Sequence, residues 1–197
     1  SLTAGVRYDD HETFGDETTF RLAGTAVIPE TETKFHASYG TGFKAPNLND
    51  LYYDGAWGAG NPDLEAETSK SVDIGVTQPF LDGRFEIDVT YFHSSVDDLI
   101  QWAADPVTFL LSSDNVDKAD IDGIEVSARL QVTEDLDVSA QYTYTDAEDD
   151  ATGDQLARRG RHTASGTVSY DFLDDRANAS ITVIHVGTRY DDAAQVT

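Results

Sequence analysis

Phe85-Glu86-Ile87-Asp88-Val89-Thr90-Tyr91-Phe92 is the stretch that decides the fold, because apolar and polar residues alternate through most of it. An extended strand points successive side chains to opposite faces, so the segment predicts a strand with one apolar face and one mostly polar face. The same period recurs along the chain and predicts about nine strands. After an N-terminal strand at residues 1–6, these cover 18–28, 33–43, 69–80, 84–102, 109–132, 136–147, 161–171 and 176–190.

The connections between these strands alternate in length. Short polar turns alternate with long acidic or glycine-rich loops. The short turns are Pro29–Glu32, Leu81–Gly83 and Leu173–Asp175. A turn side and a loop side, joined by strands of about 9 to 11 residues or more, are typical of a transmembrane β-barrel. The predicted fold class is all-β, an antiparallel up-and-down meander that forms an incomplete arc of a large transmembrane β-barrel. A soluble β-sandwich would alternate in the same way, so alternation alone leaves that alternative open.

The composition disfavours or excludes several classes of function. The 197 residues contain 13 Lys and Arg against 37 Asp and Glu, a formal charge of −24, and the mean hydropathy is −0.41. Phosphate binding needs clustered basic residues, so this acidity disfavours a nucleic-acid partner. The chain has no Cys, which excludes a disulfide scaffold, thiolate metal ligation and thiol catalysis. The negative hydropathy does not exclude a barrel, whose strands carry polar residues on their lumen face.

The domain prediction is one partial barrel domain at residues 1–197. The N-terminus is already part of a predicted strand, and the C-terminus stops in a loop from Tyr190 to Thr197. A membrane does not tolerate open, lipid-exposed strand edges. We therefore expect a piece of a larger barrel, with any plug and the closing strands outside these residues.

Four segments in a fixed order resemble the C-terminal half of the barrel of TonB-dependent outer-membrane receptors. The first is Tyr39-Gly40-Thr41-Gly42-Phe43-Lys44-Ala45-Pro46-Asn47-Leu48, and the others are residues 60–69, 91–100 and 115–125. Two later segments, Leu156–His162 and Val186–Asp191, most resemble the cobalamin receptor branch of this family.

The resemblance implies an outer-membrane, energy-dependent importer of a large nutrient, cobalamin first and an iron chelate such as a ferric siderophore or heme second. It also implies as partners the plug domain of the same full-length chain, the TonB complex reached through the missing N-terminal part, and outer-membrane lipid. No cofactor and no enzymatic step are expected. The alternatives are a passive porin-like structural barrel, then a soluble β-sheet binding module, and last a hydrolase barrel.

Arg158, Arg159 and Arg161 form the one basic cluster of an acidic chain and are the predicted ligand-binding residues. Placed just before a strand, they are expected near the loop-side rim, where guanidinium groups donate hydrogen bonds to carbonyl, amide or phosphate oxygens of a ligand, or to the plug. The alternative is ion pairing with acidic neighbours such as Asp146 or Asp154.

Other candidates are weaker. The acidic run from Asp146 to Asp154 indicates a solvated loop, with calcium binding as the sharper alternative. Asp120-Ile121-Asp122-Gly123 fails as an EF-hand because carboxylates are missing at the first and last ligand positions. Five histidines lack metal-ligand spacing and G-x-S-x-G is absent, so no metal site or catalytic residue is predicted.

His36 is expected on a polar strand face. Pro46 and Pro62 predict structural turns, and Gly123 predicts a bulge or a close approach by the plug.

Overall fold

Nine long strands form one antiparallel sheet in the computed structural model, which describes residues 1–11, 15–104, 109–150, 152–173 and 176–190, with backbone only at 11, 15, 116 and 117. Two strands of two residues and one short helix lie in the longest connection. The elements are β1 (Leu2–His11), β2 (Gly15–Ile28), β3 (Thr33–Lys44), α1 (Leu48–Tyr52), β4 (Asp54–Gly55), β5 (Gly58–Ala59), β6 (Glu67–Phe80), β7 (Phe85–Ala104), β8 (Leu111–Gln131), β9 (Leu136–Asp149), β10 (His162–Phe172) and β11 (Ala177–Val186).

The strand order is that of a meander, β1-β2-β3-β6-β7-β8-β9-β10-β11, with β1 and β11 at the two edges. This confirms the predicted fold class and the predicted number of strands. The last strand is shorter than predicted, because β11 ends at Val186 rather than at residue 190.

The register gathers the apolar residues on one face of the sheet. Ala37 pairs with Ile74, Ile74 with Tyr91, Tyr91 with Ile124 and Ile124 with Tyr144, so one apolar row crosses five strands. Of these side chains, Tyr144 is half-buried and the others are exposed, Ile74 at 58%. Toward the loop end the same face becomes polar, because the next residues on it are His93 in β7 and Asp122 in β8. The Asp122 carboxylate accepts a hydrogen bond from the Tyr91 hydroxyl and lies 3.1 Å from His93 Nδ1.

The opposite face is polar and linked by side-chain hydrogen bonds across strands. Asp88 accepts from the Thr77 hydroxyl at 2.7 Å and lies 3.2 Å from His36 Nε2, and Ser38 donates to Asp73 at 2.7 Å. His36 is therefore on the polar face, as predicted. We refer to this side as the polar face and to the other as the apolar face.

Gly123 pairs with Phe92 and Thr145 within an uninterrupted ladder, so the predicted bulge is wrong. A Cβ at this position would overlap the Phe92 ring and lie 2.5 Å from the Tyr144 carbonyl oxygen. The close approach that requires glycine is thus made by Phe92 and by the backbone of β9.

Short turns alternate with longer connections, as predicted. At the short end, Leu81 and Asp82 have φ of 54° and 55°, and the Gly83 N–H donates to the Phe80 carbonyl at 3.1 Å, a geometry that suits the right-handed twist of a hairpin. Asp174 and Asp175 of the last predicted turn, Ala151 of the acidic run and the C-terminal loop from Asp191 lie outside the described residues. Within the described residues, no helix combines the length and apolarity needed to span a membrane.

Candidate functional site at the loop-side end of the sheet

The connections 45–66 and 150–161, together with residues 187–190 after β11, lie at one end of the sheet, which we call the loop-side end. The hairpin of β7 and β8 extends further in this direction than the neighbouring strands. Its pairs continue from Leu99 with Val116 to Ala104 with Leu111, whereas the β8–β9 ladder ends at Ala119. The extension gives both connections a surface to pack against.

Segment 45–66 begins where the sequence predicts a break, since β3 ends at Lys44 immediately before Ala45-Pro46. The sequence analysis missed the helix that follows. Asn47 Oδ1 accepts from the backbone N–H groups of Asn49 and Asp50, and the Asp50 carboxylate accepts the Asn47 N–H at 3.1 Å. This reciprocal capping box stabilises the first turn of a helix that is only five residues long. The second predicted turn is confirmed, because Asn61 Oδ1 accepts the Asp63 N–H at 3.0 Å.

Asp50 also fixes the helix to the hairpin extension. Its Oδ1 accepts a hydrogen bond from Trp102 Nε1 at 3.0 Å, and the Trp102 ring meets Tyr53 edge-on with ring centroids 5.7 Å apart. Asp50 is buried and is paired on both carboxylate oxygens, as a buried charge must be. A second charged anchor lies nearby, where Glu67 Oε1 accepts from Lys44 Nζ at 2.6 Å and from the Ile100 N–H at 3.1 Å.

An open cleft of about 430 Å³ lies between helix α1 and the hairpin extension. We call it the aromatic cleft, and it is lined by Tyr53, Trp57, Trp102 and Leu111 together with Asn47, Asn49 and Asp50. Trp57 is 78% exposed, although its carbonyl accepts the Leu111 N–H at 2.9 Å and so holds the backbone in place. Trp102 lies in β7 beyond Asp98, where a φ of 58° interrupts the strand alternation, and with Leu111 it forms the β7–β8 side of the cleft.

Loop 150–161 folds onto the polar face of β8 and β9. Leu156 is 5% exposed and packs with Ala119 and Ala147, which lie on the polar face by strand alternation. Its N–H donates to the Ala147 carbonyl at 2.8 Å. The Asp150 N–H donates to the Lys118 carbonyl at 3.0 Å. The loop is therefore held by a small apolar core and by backbone hydrogen bonds, neither of which the sequence analysis identified.

The three predicted arginines lie at the loop-side end, but they differ in their contacts. Arg161 is paired, with Nη2 3.0 Å from Asp146 and 3.5 Å from Glu148, which is the alternative that the sequence left open. The Arg158 N–H donates to the Tyr190 carbonyl at 2.7 Å, and the Arg159 carbonyl accepts from Gln155 at 2.7 Å. In the described part of the chain, the Arg158 and Arg159 side chains are exposed and make no ion pair. Their role in ligand binding stays a prediction.

The acidic run is distributed over different contacts. Asp146 and Glu148 face Arg161, while Asp150 lies 3.6 Å from Lys118 Nζ. Lys118 also donates to Asp120 at 3.0 Å, and this hydrogen bond holds the pKa of Asp120 below its usual value and raises that of Lys118. Both residues lie beyond the apolar band of the sheet. Among the residues that the structure describes, no three His, Asp or Glu side chains converge in a way that could hold a metal ion.

The comparison with protein families gives one match over the whole chain. The model of the family described as "TonB dependent receptor-like, beta-barrel" matches residues 1–197. Among curated proteins, the chain is similar to the vitamin B12 transporter BtuB of Photobacterium profundum, 40% identical over 195 residues that cover 96% of this chain and 30% of that protein. It is also similar to the vitamin B12 transporter BtuB of Vibrio vulnificus, 34% identical over 194 residues, with 98% and 30% covered.

Two of the solved structures to which the fold is similar are named as siderophore receptors. The ferric enterobactin receptor PfeA of Pseudomonas aeruginosa superposes with a TM-score of 0.75 at 25% identity, covering 100% of this chain and 32% of that one. The siderophore receptor PirA of the same organism gives 0.73 at 26% identity, with 94% and 34% covered. The chain spans about 30% of the length of the curated relatives it matches.

Proposed function

The chain belongs to the TonB dependent receptor-like β-barrel family, and from that premise we propose that it is an arc of an outer-membrane receptor that imports cobalamin. The observation that carries the proposal is the 40% identity to a vitamin B12 transporter over 195 residues, joined to a loop-side end that is folded and carries an open cleft. The relatives are named as transporters and receptors, and we infer that the chain itself catalyses no reaction.

The exposed apolar face supports a membrane location. In water, each exposed Leu, Ile, Val or Phe side chain forgoes about 1.5–3 kcal/mol of burial free energy. Ile74 and Ile124 of the row, together with Ile181 and Val183 of β11, are such residues and are exposed on this face. Lipid covers this face in our proposal, and the polar face lines a lumen occupied by the plug domain of the full-length chain.

Charge favours cobalamin over an anionic iron chelate. The chain carries a formal charge of −24, and the loop-side end contributes Asp54, Asp63, Glu65 and Asp114 to it. A ferric catecholate complex carries several negative charges and would be repelled by this field. Cobalamin has little net charge and many carboxamide groups, so the same field costs it little.

Arg158 and Arg159 are the proposed ligand contacts. Their exposed guanidinium groups are placed by a loop that is anchored at Leu156, and each can donate to the phosphodiester oxygens that cobalamin carries or to carbonyl groups of the plug. The same two cations make a ferric siderophore the second candidate, since they suit an anionic chelate. In either case the TonB complex supplies the energy through segments outside these residues.

The test is surface binding and energised uptake of radiolabelled cyanocobalamin by cells that carry the full-length receptor. Arg158→Ala with Arg159→Ala should weaken binding by at least about tenfold, because each charge-assisted hydrogen bond contributes about 1.5–3 kcal/mol and every 1.4 kcal/mol is a factor of ten in affinity. The amount of receptor in the outer membrane should stay unchanged. Arg176→Ala, an exposed arginine at the short-turn end, is the control and should have no effect. A wild-type receptor that takes up ferric enterobactin but not cyanocobalamin refutes the substrate proposal.

A further inference from the structure

The aromatic cleft has the features of a binding site for one part of the ligand. We propose that it binds a flat, uncharged heteroaromatic ring, which in cobalamin is the benzimidazole of the nucleotide arm. This inference rests on the proposed function and adds to it the group that is recognised and the residues that recognise it. The corrin ring is not aromatic and is surrounded by amides, so it does not fit the same chemistry.

The Trp102 wall of the cleft is fixed before any ligand arrives. Trp102 is held by its hydrogen bond to Asp50 and by the edge-on contact with Tyr53. The cleft also depends on a close approach of two backbones, since a Cβ at Gly58 would lie 2.8 Å from Leu111 Cβ. A wall side chain that does not need to be ordered on binding keeps more of its interaction energy as affinity.

Trp57 is the exposed aromatic residue of the cleft and supplies a surface on which a ligand ring can stack. An indole that is 78% exposed leaves a large apolar surface in water, yet its backbone is tied to β8 through the Leu111 N–H. The chain thus holds this ring at the mouth of the cleft while Trp102 forms the wall. Stacking of a heteroaromatic base on such a ring typically contributes about 1–3 kcal/mol.

The polar groups of the cleft indicate an uncharged occupant. Asp50 is the one carboxylate among the described residues that line it, and both its oxygens already accept N–H donors. A cationic or anionic group would find no free counter-charge there. The remaining polar groups, the amides of Asn47 and Asn49, the Tyr53 hydroxyl and the indole N–H groups, are all uncharged. The volume of about 430 Å³ accommodates a bicyclic ring together with an attached sugar.

The test compares two probes on the full-length receptor, cyanocobalamin and dicyanocobinamide, which lacks the nucleotide arm. Trp57→Ala should weaken binding of cyanocobalamin about tenfold and change binding of the cobinamide by less than twofold, because only the first ligand carries the ring. Trp57→Phe should recover most of the loss. Tyr52→Ala is the matched control, since Tyr52 is an aromatic residue of the same segment, 62% exposed, that does not line the cleft.

The outcomes separate this inference from the proposed function. A wild-type receptor that binds cyanocobalamin, with Trp57→Ala binding it equally well, overturns the cleft assignment alone. An equal loss for both probes also overturns it, because the lost contact is then not to the ring. A wild-type receptor that binds neither corrinoid refutes the proposed substrate and this inference with it.

Discussion

Replacing Leu156 by Ala should release loop 150–161 from the sheet. Leu156 is nearly fully buried, and it packs mainly on the small residues Ala119 and Ala147, with Val96, Leu99 and Ile121 at the edge. Leu→Ala substitutions in cores cost about 2–5 kcal/mol. The cluster is small and lies at the margin of the sheet, so we expect the lower part of that range, about 2–3 kcal/mol of docking free energy. Every 1.4 kcal/mol changes an equilibrium constant tenfold, so the population of the open loop should rise about 30- to 140-fold.

Limited trypsin digestion of the full-length receptor in outer-membrane vesicles measures this opening. The loop carries Arg158, Arg159 and Arg161, and cleavage follows the open population when the loop opens and closes faster than it is cut. Leu156→Met keeps the buried volume and should digest like the wild type, as should Leu48→Ala at an exposed position. Equal digestion of Leu156→Ala and wild type would refute the view that this leucine docks the loop.

Two further predictions concern the sheet and pH. Gly123→Ala should lower the unfolding temperature of the receptor, since overpacking against Phe92 and the Tyr144 carbonyl costs about 1–3 kcal/mol. Gly166→Ala is the control and should be tolerated, because its Cβ would lie 3.9 Å from the nearest atom, the Ser139 carbonyl oxygen. Equal shifts of the unfolding temperature would contradict the packing argument. The folded-state pKa of Asp120 lies below its ordinary 3.8, so its bond to Lys118 stabilises the fold fully above about pH 4 and is lost as pH falls through the folded value. The protection of the Asp150 N–H against hydrogen exchange, relative to its intrinsic rate at each pH, should therefore fall on acidification, and Lys118→Met should remove this pH dependence. An unchanged pH dependence of the protection in that variant would contradict the assignment.

The parts of the fold that follow from local patterns could be predicted from the sequence. Alternation places Phe85, Ile87, Val89 and Tyr91 on one face whatever their neighbours are, and turn residues such as Asp82-Gly83 fix where a hairpin closes. Strand ends depend on pairing with distant residues as well. The last strand was predicted to continue to residue 190, but β11 ends at Val186. Beyond it the Gly187 N–H donates to the His162 carbonyl, and the Tyr190 carbonyl accepts from Arg158.

The site could be predicted only in outline. The position of the arginine cluster followed from the alternation of turns and loops, and a capping signal for α1 was present in Asn47 and Asp50, three residues apart. Trp102 and Asp50 are 52 residues apart, and Leu156 meets Ala119 across 37 positions, so no local pattern reports these contacts. Pairing of Arg161 with Asp146 was one of several combinations that charge alone allowed.

Segment 45–66 has a consequence for the association of this chain with other molecules. Past Ala119, the edge of β8 that faces β9 would expose unpaired backbone groups, which is where a strand of another molecule adds and aggregation begins. The two-residue strand β5 pairs with Leu111 and Ser112 on this edge. The Glu65 backbone exchanges two hydrogen bonds with the Asn115 side chain. A strand of two residues is too short to propagate the sheet. The segment therefore closes the hairpin to intermolecular β-pairing, and its deletion would be expected to make the receptor self-associate.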